Sequence, residues 1–146
     1  MGLGSFLRDL LFPPKKKYGV ESKTLTGETV RSRGEKRIAD YFTRAGIEYI
    51  YEKEAVAKFF IFSSRISCPD FYLPEHKVYV EYWGMVNVDD ERKRDEYIRQ
   101  MKWKMAQYHR WGVRFISIYP DNLENLDWVF RSKFKKVVGY ELPSLQ

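Results

Sequence analysis

The sequence predicts an α/β fold, a mixed sheet flanked by helices, and three observations carry that prediction. Apolar residues recur at helical spacing in three separate segments; short runs of aromatic and branched residues fill the interval between the first two; a strongly apolar run separates the second from the third. Strands joined by short turns pair antiparallel, whereas a strand reached through a helical crossover lies parallel to its predecessor. Both kinds of connection occur here, so the sheet is expected to be mixed.

The first helix is expected from about Arg33 to Ala45. Ile38, Tyr41 and Phe42 share one face, Ser32 stands three residues before Glu35 in a capping pattern, and Gly46 lies where the helix should stop. Ile47 to Glu52, Lys58 to Phe62, Phe71 to Leu73 and Val78 to Trp83 read as strands of an antiparallel meander. After a loop from Gly84 to Asp90, residues Ile98, Met101, Met105 and Tyr108 mark one face of a long helix from about Glu91 to Arg110, closed by Gly112. Val113 to Tyr119 is an apolar strand and Pro120-Asp121-Asn122 a turn. Leu123, Leu126, Val129 and Phe130 then belong to a last helix. There is no internal repeat and no low-complexity tract.

At 146 residues the chain is expected to hold one principal domain, 27–146, preceded by a basic and apolar segment, 1–26, that reads as a tail or a docking element for a partner protein. In that segment Phe6, Leu7, Leu10, Leu11 and Phe12 suggest one amphipathic turn ended by Pro13-Pro14. Phe6 stands where a myristoylation signal needs serine or threonine. No apolar run is long enough to span a bilayer. The single cysteine, Cys68, excludes an internal disulfide and a thiolate zinc site, and points to a reducing, cytoplasmic setting. With only His76 and His109, a histidine metal centre is excluded as well.

Lysine and arginine outnumber the acids 26 to 20, for a net charge of +6, which favours encounter with polyanions. Basic runs occur at Lys15 to Lys17, Arg31 to Arg37, Arg92 to Arg94 and Arg131 to Lys136.

Two acids stand out. Asp70 sits in Cys68-Pro69-Asp70-Phe71, beside a turn, and Glu81 lies within Val78-Tyr79-Val80-Glu81-Tyr82, a strand. Alternation along a strand turns Glu81 away from the face that buries Val78 and Val80, so it needs a partner if the sheet is covered on both sides. Two hard oxygen ligands brought together across a hairpin suit Mg2+ or Mn2+ better than zinc. Turn chemistry at Asp70 and a strand ion pair at Glu81 are the simpler alternatives.

Gly34-Glu35 in a leading helix, Pro69-Asp70-Phe71 at a strand and Val80-Glu81-Tyr82-Trp83-Gly84 on the next resemble the PD-(D/E)XK, or restriction-endonuclease-like, nuclease superfamily, over roughly Gly27 to Phe134. The further pattern of Tyr97, Met101, Lys104, Tyr108 or His109, and Gly112 is similar to nuclease-like domains joined to some DNA helicases. The resemblance implies an αβββαβα core and hydrolysis of DNA phosphodiester bonds. It also implies Mg2+ held by Asp70, Glu81 and the Tyr82 carbonyl, with Glu35 ligating directly or through water. A homodimer is compatible with it. The pattern departs at Trp83, which stands where the superfamily places a lysine two residues after the second acid; indole has one donor and no titratable base. Lys104 or Lys102 on the following helix could supply the ammonium group instead. At 100° per residue, Tyr97, Met101, Lys104 and Tyr108 fall on one stripe within about 60°, which favours Lys104. The alternative is a nuclease-fold module that binds nucleic acid or a partner protein without cutting.

Overall fold

The computed structural model describes residues 19–52, 55–59 and 62–144, with only the backbone course of 55–59 and 62–67. The apolar turn and Lys15 to Lys17 expected near the start of the chain lie outside the described residues. Their order is β1 (Ser22–Lys23), β2 (Thr29–Val30), α1 (Arg33–Arg44), β3 (Ile50–Tyr51), β4 (Ala55–Phe59), β5 (Phe62–Ser67), β6 (Phe71–Leu73), β7 (Val78–Tyr82), α2 (Glu91–Arg110) and β8 (Phe115–Ile118). A 3-10 turn (Pro120–Asn125) leads directly into α3 (Leu126–Val138).

The central sheet runs β3-β6-β7-β8; its first two pairings are antiparallel and β7 with β8 is parallel. The parallel pairing follows the α2 crossover, as expected for a helix-linked strand. The protein is therefore a mixed α/β structure with a four-stranded sheet flanked by helices. One face carries the main core. Phe71, Leu73, Val78, Val80, Ile116 and Ile118 from the sheet meet Ile38 and Phe42 of α1 and Phe130 and Phe134 of α3. Phe42 anchors this core edge-on against both Phe71 and Phe130, with centroids 5.5 and 5.2 Å away. The other face carries Phe115, on which Tyr108 of α2 packs at 4.9 Å.

Local chemistry explains the element ends. Ser32 Oγ accepts the Glu35 N–H, Asp90 accepts the Lys93 N–H, and Gly46, Gly112 and Gly139 follow the three helices with positive φ. The helix expected over 91–110 matches α2 at both ends.

The middle of the chain differs from expectation. The strand expected over Lys58 to Phe62 spans a hairpin turn: Phe59 pairs with Phe62, so β4 and β5 form a separate two-stranded sheet, and the central sheet is no simple meander. A run of four large apolar residues, Phe59-Phe60-Ile61-Phe62, carries none of the Gly, Pro, Asn or Asp punctuation that marks a turn. The strand expected over Ile47 to Glu52 is confined to Ile50–Tyr51, and Glu52 just beyond it takes a positive φ of 54°. The boundary expected near residue 26 crosses a small hairpin. Ser22 pairs with Val30, Thr24 and Val30 are buried, and Asp40 of α1 accepts the Leu25 N–H at 2.7 Å.

Tyr82 lies across α1 at Gly34, where a Cβ would overlap the Tyr82 ring. Gly34→Ala should therefore destabilise the fold by about 1–2 kcal/mol in urea unfolding, overpacking outweighing the roughly 1 kcal/mol that alanine gains in helix propensity. An unchanged or higher midpoint would show that the ring moves aside freely.

Candidate functional site

The β6–β7 hairpin sets the two acids against each other. Its ladder pairs Phe71 with Val80, Tyr72 with Tyr79 and Leu73 with Val78; one further step places Asp70 opposite Glu81 on the side away from the main core. Both are deeply buried, Asp70 at 4% and Glu81 at 2% exposure. Asp70 Oδ2 accepts the Tyr82 main-chain N–H at 2.6 Å, standing in for a ladder carbonyl where β6 has not yet begun. Glu81 faces α2. Its Oε1 accepts the Tyr108 hydroxyl at 2.6 Å and the Lys104 ammonium at 3.1 Å.

The two candidate lysines are separated. Lys104 is largely covered and reaches the acid, whereas Lys102 is exposed and directed to solvent. Helix geometry accounts for this. Lys104 and Tyr108 are four residues apart on the sheet-facing stripe, and Lys102 lies outside it. Trp83, two residues beyond Glu81, does not carry a charge into the site; it donates Nε1–H to Ser117 Oγ at 2.9 Å, and Lys104 Nζ sits 5.5 Å from its ring centroid. The tryptophan thus forms a wall beside the ammonium that arrives from α2.

Glu35 Oε2 accepts the Tyr51 hydroxyl at 2.5 Å and the Arg31 N–H at 3.0 Å. Burial first, and then hydrogen bonding to the Glu35 carboxylate, push the Tyr51 phenol up. Among the described residues no three Asp, Glu, His or Cys side chains gather as one metal ion could hold them. Glu35 is engaged by the Tyr51 hydroxyl and the Arg31 main chain, and its ligation of an ion at Asp70 and Glu81, directly or through water, stays what the resemblance implies. Tyr82 links the two regions, since burial and then the Glu35 charge raise its phenol, with Arg37 opposing and Asp70 adding to the rise.

The donor set that remains is two carboxylates and the main-chain carbonyl of Tyr82 at the end of β7. These are hard oxygens, and one or two carboxylates completed by water and phosphate are a habitual donor set for Mg2+.

Other candidates resolve as structure. His76 is buried with Nδ1 2.9 Å from the Tyr140 hydroxyl, and His109 packs its ring against Phe115. Cys68 donates to the Glu52 carbonyl at 2.9 Å, and the Glu52 carboxylate is held by Arg31 at 2.8 Å. Tyr108 was legible only as a core position. Its role as second donor to Glu81 depends on α2 crossing the sheet at that point, which spacing alone does not encode. No protein family, curated protein or solved structure matches the chain.

Removing the Tyr108 hydroxyl takes one donor from a buried carboxylate. Tyr108→Phe should lower unfolding free energy by about 1.5–3 kcal/mol, the worth of a hydrogen bond to a charged group. In a Glu81→Gln background the same change should cost less. Equal losses in both backgrounds would show that the two side chains are not coupled.

Proposed function

We propose that the protein is a magnesium-dependent deoxyribonuclease with a restriction-endonuclease-like αβββαβα core, and that Lys104 supplies the ammonium group absent at Trp83. The observation that carries this reading is the 3.1 Å approach of Lys104 Nζ to Glu81, which lies opposite Asp70 across one hairpin. A structural ion pair alone would not require the second buried acid, nor the tryptophan wall that holds the ammonium at the sheet.

Phosphodiester hydrolysis needs an activated water and stabilisation of the negative charge that builds on the phosphate and the leaving oxygen. Mg2+ held by Asp70, Glu81 and the Tyr82 carbonyl would supply both, as a Lewis acid that also lowers the pKa of water. The protein's own contribution is positioning. The Tyr82 N–H fixes the Asp70 carboxylate, and Tyr108 fixes Glu81 from the opposite side. The Lys104 ammonium has three donors, of which Glu81 takes one, so a water or phosphate oxygen beside Glu81 can be oriented by the same group. Glu35 accepts from Tyr51 and the Arg31 main chain, and its ligation of the ion, directly or through water, is what the resemblance implies.

One feature favours a second reading, a nuclease-fold module that binds without cutting: Glu81 is already satisfied by Lys104 and Tyr108, a self-contained network. Cleavage of labelled single-stranded, duplex and junction DNA with Mg2+, Mn2+ or EDTA separates the two. The nuclease reading predicts cutting that EDTA abolishes. It also predicts that Glu81→Ala and Lys104→Ala lower the rate by about 100-fold or more while salt-sensitive binding persists. Binding by the wild-type protein with no cutting under any metal condition would establish the module instead.

A further inference from the structure

Tyr82 serves the acid pair through its main chain, with its N–H on Asp70 and its carbonyl at the end of β7. Its side chain goes elsewhere. Alternation along the strand sends it to the face opposite Glu81, where the ring lies against two glycines. A Cβ on Gly34 would stand 2.2 Å from Tyr82 Cε1, and a Cβ on Gly84 would stand 2.6 Å from the same atom. Both distances are far closer than non-bonded carbons can approach. Two positions distant in the chain are thus kept without side chains around one ring, which fixes where the phenol sits.

Packing accounts for the ring but not for the hydroxyl, since phenylalanine would fill the same space. Neighbouring tyrosines use theirs inside the protein: Tyr108 donates to Glu81, Tyr51 to Glu35 and Tyr41 to Asp127. The Tyr82 hydroxyl makes no hydrogen bond to any described residue, and the residue is only half-buried. After burial, the influences on this phenol are the Glu35 charge, the Arg37 guanidinium and the Asp70 charge. Arg37 lies one turn of α1 beyond Gly34. It is held there by donating to the Leu123 carbonyl at 2.8 Å, and its side chain is exposed, with further N–H groups to offer. A rigidly placed neutral donor beside a fixed guanidinium suits an oxyanion arriving from solvent.

We propose that the Tyr82 hydroxyl donates to a backbone phosphate of DNA, the one adjoining the phosphate that the acid pair acts on, with Arg37 as the accompanying cation. The inference rests on the nuclease reading for the phosphate beside Asp70 and Glu81. Because Glu81 and Tyr82 leave β7 on opposite faces, the hydroxyl is directed away from a group held by the acids. A nucleic-acid backbone repeats its anion at every nucleotide, so a strand crossing the end of β7 brings a second phosphate to the α1 side. Contacts of this kind carry no sequence information; they set the register and orientation of the strand. Tyr82 would then do two jobs, its main chain ordering the acid site and its phenol seating the substrate.

The test is a fluorescence-anisotropy titration of a labelled DNA duplex with the full chain in Ca2+, a hard cation that also takes oxygen ligands. Tyr82→Phe should weaken binding by about tenfold, the worth of one hydrogen bond to a charged acceptor. Its urea midpoint should stay at the wild-type value, because the ring is kept and no internal hydrogen bond is lost. Tyr108→Phe, whose hydroxyl is bonded to Glu81, should instead lower the midpoint. A set of duplexes, each carrying one neutral methylphosphonate, then locates the contact. At a single position the substitution should cost the wild type about tenfold more than it costs Tyr82→Phe. Equal affinity of wild type and Tyr82→Phe, or losses that add at every position, would overturn the inference and leave the nuclease reading intact. A wild-type protein that binds no DNA overturns both. Binding that depends on the Tyr82 hydroxyl at one phosphate, with no cleavage in Mg2+ or Mn2+, upholds the contact and removes only the catalysis.

Discussion

A carboxylate buried to 2% exposure must have partners, and the pairing of Glu81 with Lys104 and Tyr108 is the constraint around which the far side of this sheet is organised. An ionised group removed from water costs several kcal/mol unless charge and hydrogen bonds replace what is lost. Both partners come from α2, four residues apart. Tyr108 is the one fully buried residue described in that twenty-residue helix. The ion pair and the phenol hydrogen bond tie the helix to β7, and displacement of either donor would leave the acid unmatched. Trp83 adds to this by closing the site beside the ammonium while its indole N–H is spent on Ser117 of the parallel strand.

The same geometry brings a second buried acid to the site. Asp70 lies one step beyond the β6–β7 ladder, and its carboxylate accepts the Tyr82 main-chain N–H. Two buried acids on adjacent strands repel one another unless positive charge stands between or beside them. Lys104 supplies one such charge, and on the proposed reading a divalent ion supplies the other. Glu35 belongs to a neighbouring arrangement, in which Tyr51, Arg31 and Tyr82 tie the start of α1 to the sheet.

How far the sequence revealed this depends on the kind of signal. Capped, periodic segments were legible to the residue, as α2 shows, because Asp90, the Met101-Met105-Tyr108 spacing and Gly112 all agree. The opposition of Asp70 and Glu81 was legible because a short turn fixes strand register, and the choice of Lys104 over Lys102 followed from the helical stripe. The pairing of β4 with β5 was hidden, since the sequence across it is a run of large apolar residues with no turn chemistry. The β1–β2 hairpin escaped because its strands have two residues each, too few for any period to register. The partners of Glu35 were not legible for a different reason: its position on α1 could be read, but the Tyr51 hydroxyl and the Arg31 main chain that donate to its carboxylate come from outside the helix, and Tyr51 from a distant part of the chain.

The account rests on Asp70 and Glu81 sharing one cation, and anomalous diffraction from crystals soaked in Mn2+ tests that most directly. The expected result is a single strong peak about 2.1–2.2 Å from a carboxylate oxygen of each acid and from the Tyr82 carbonyl, with the Lys104 ammonium within hydrogen-bonding reach of an ion-bound water. Absence of any peak there at saturating Mn2+, with Lys104 and Tyr108 still closed on Glu81, would contradict the account and leave the pair as a structural clamp.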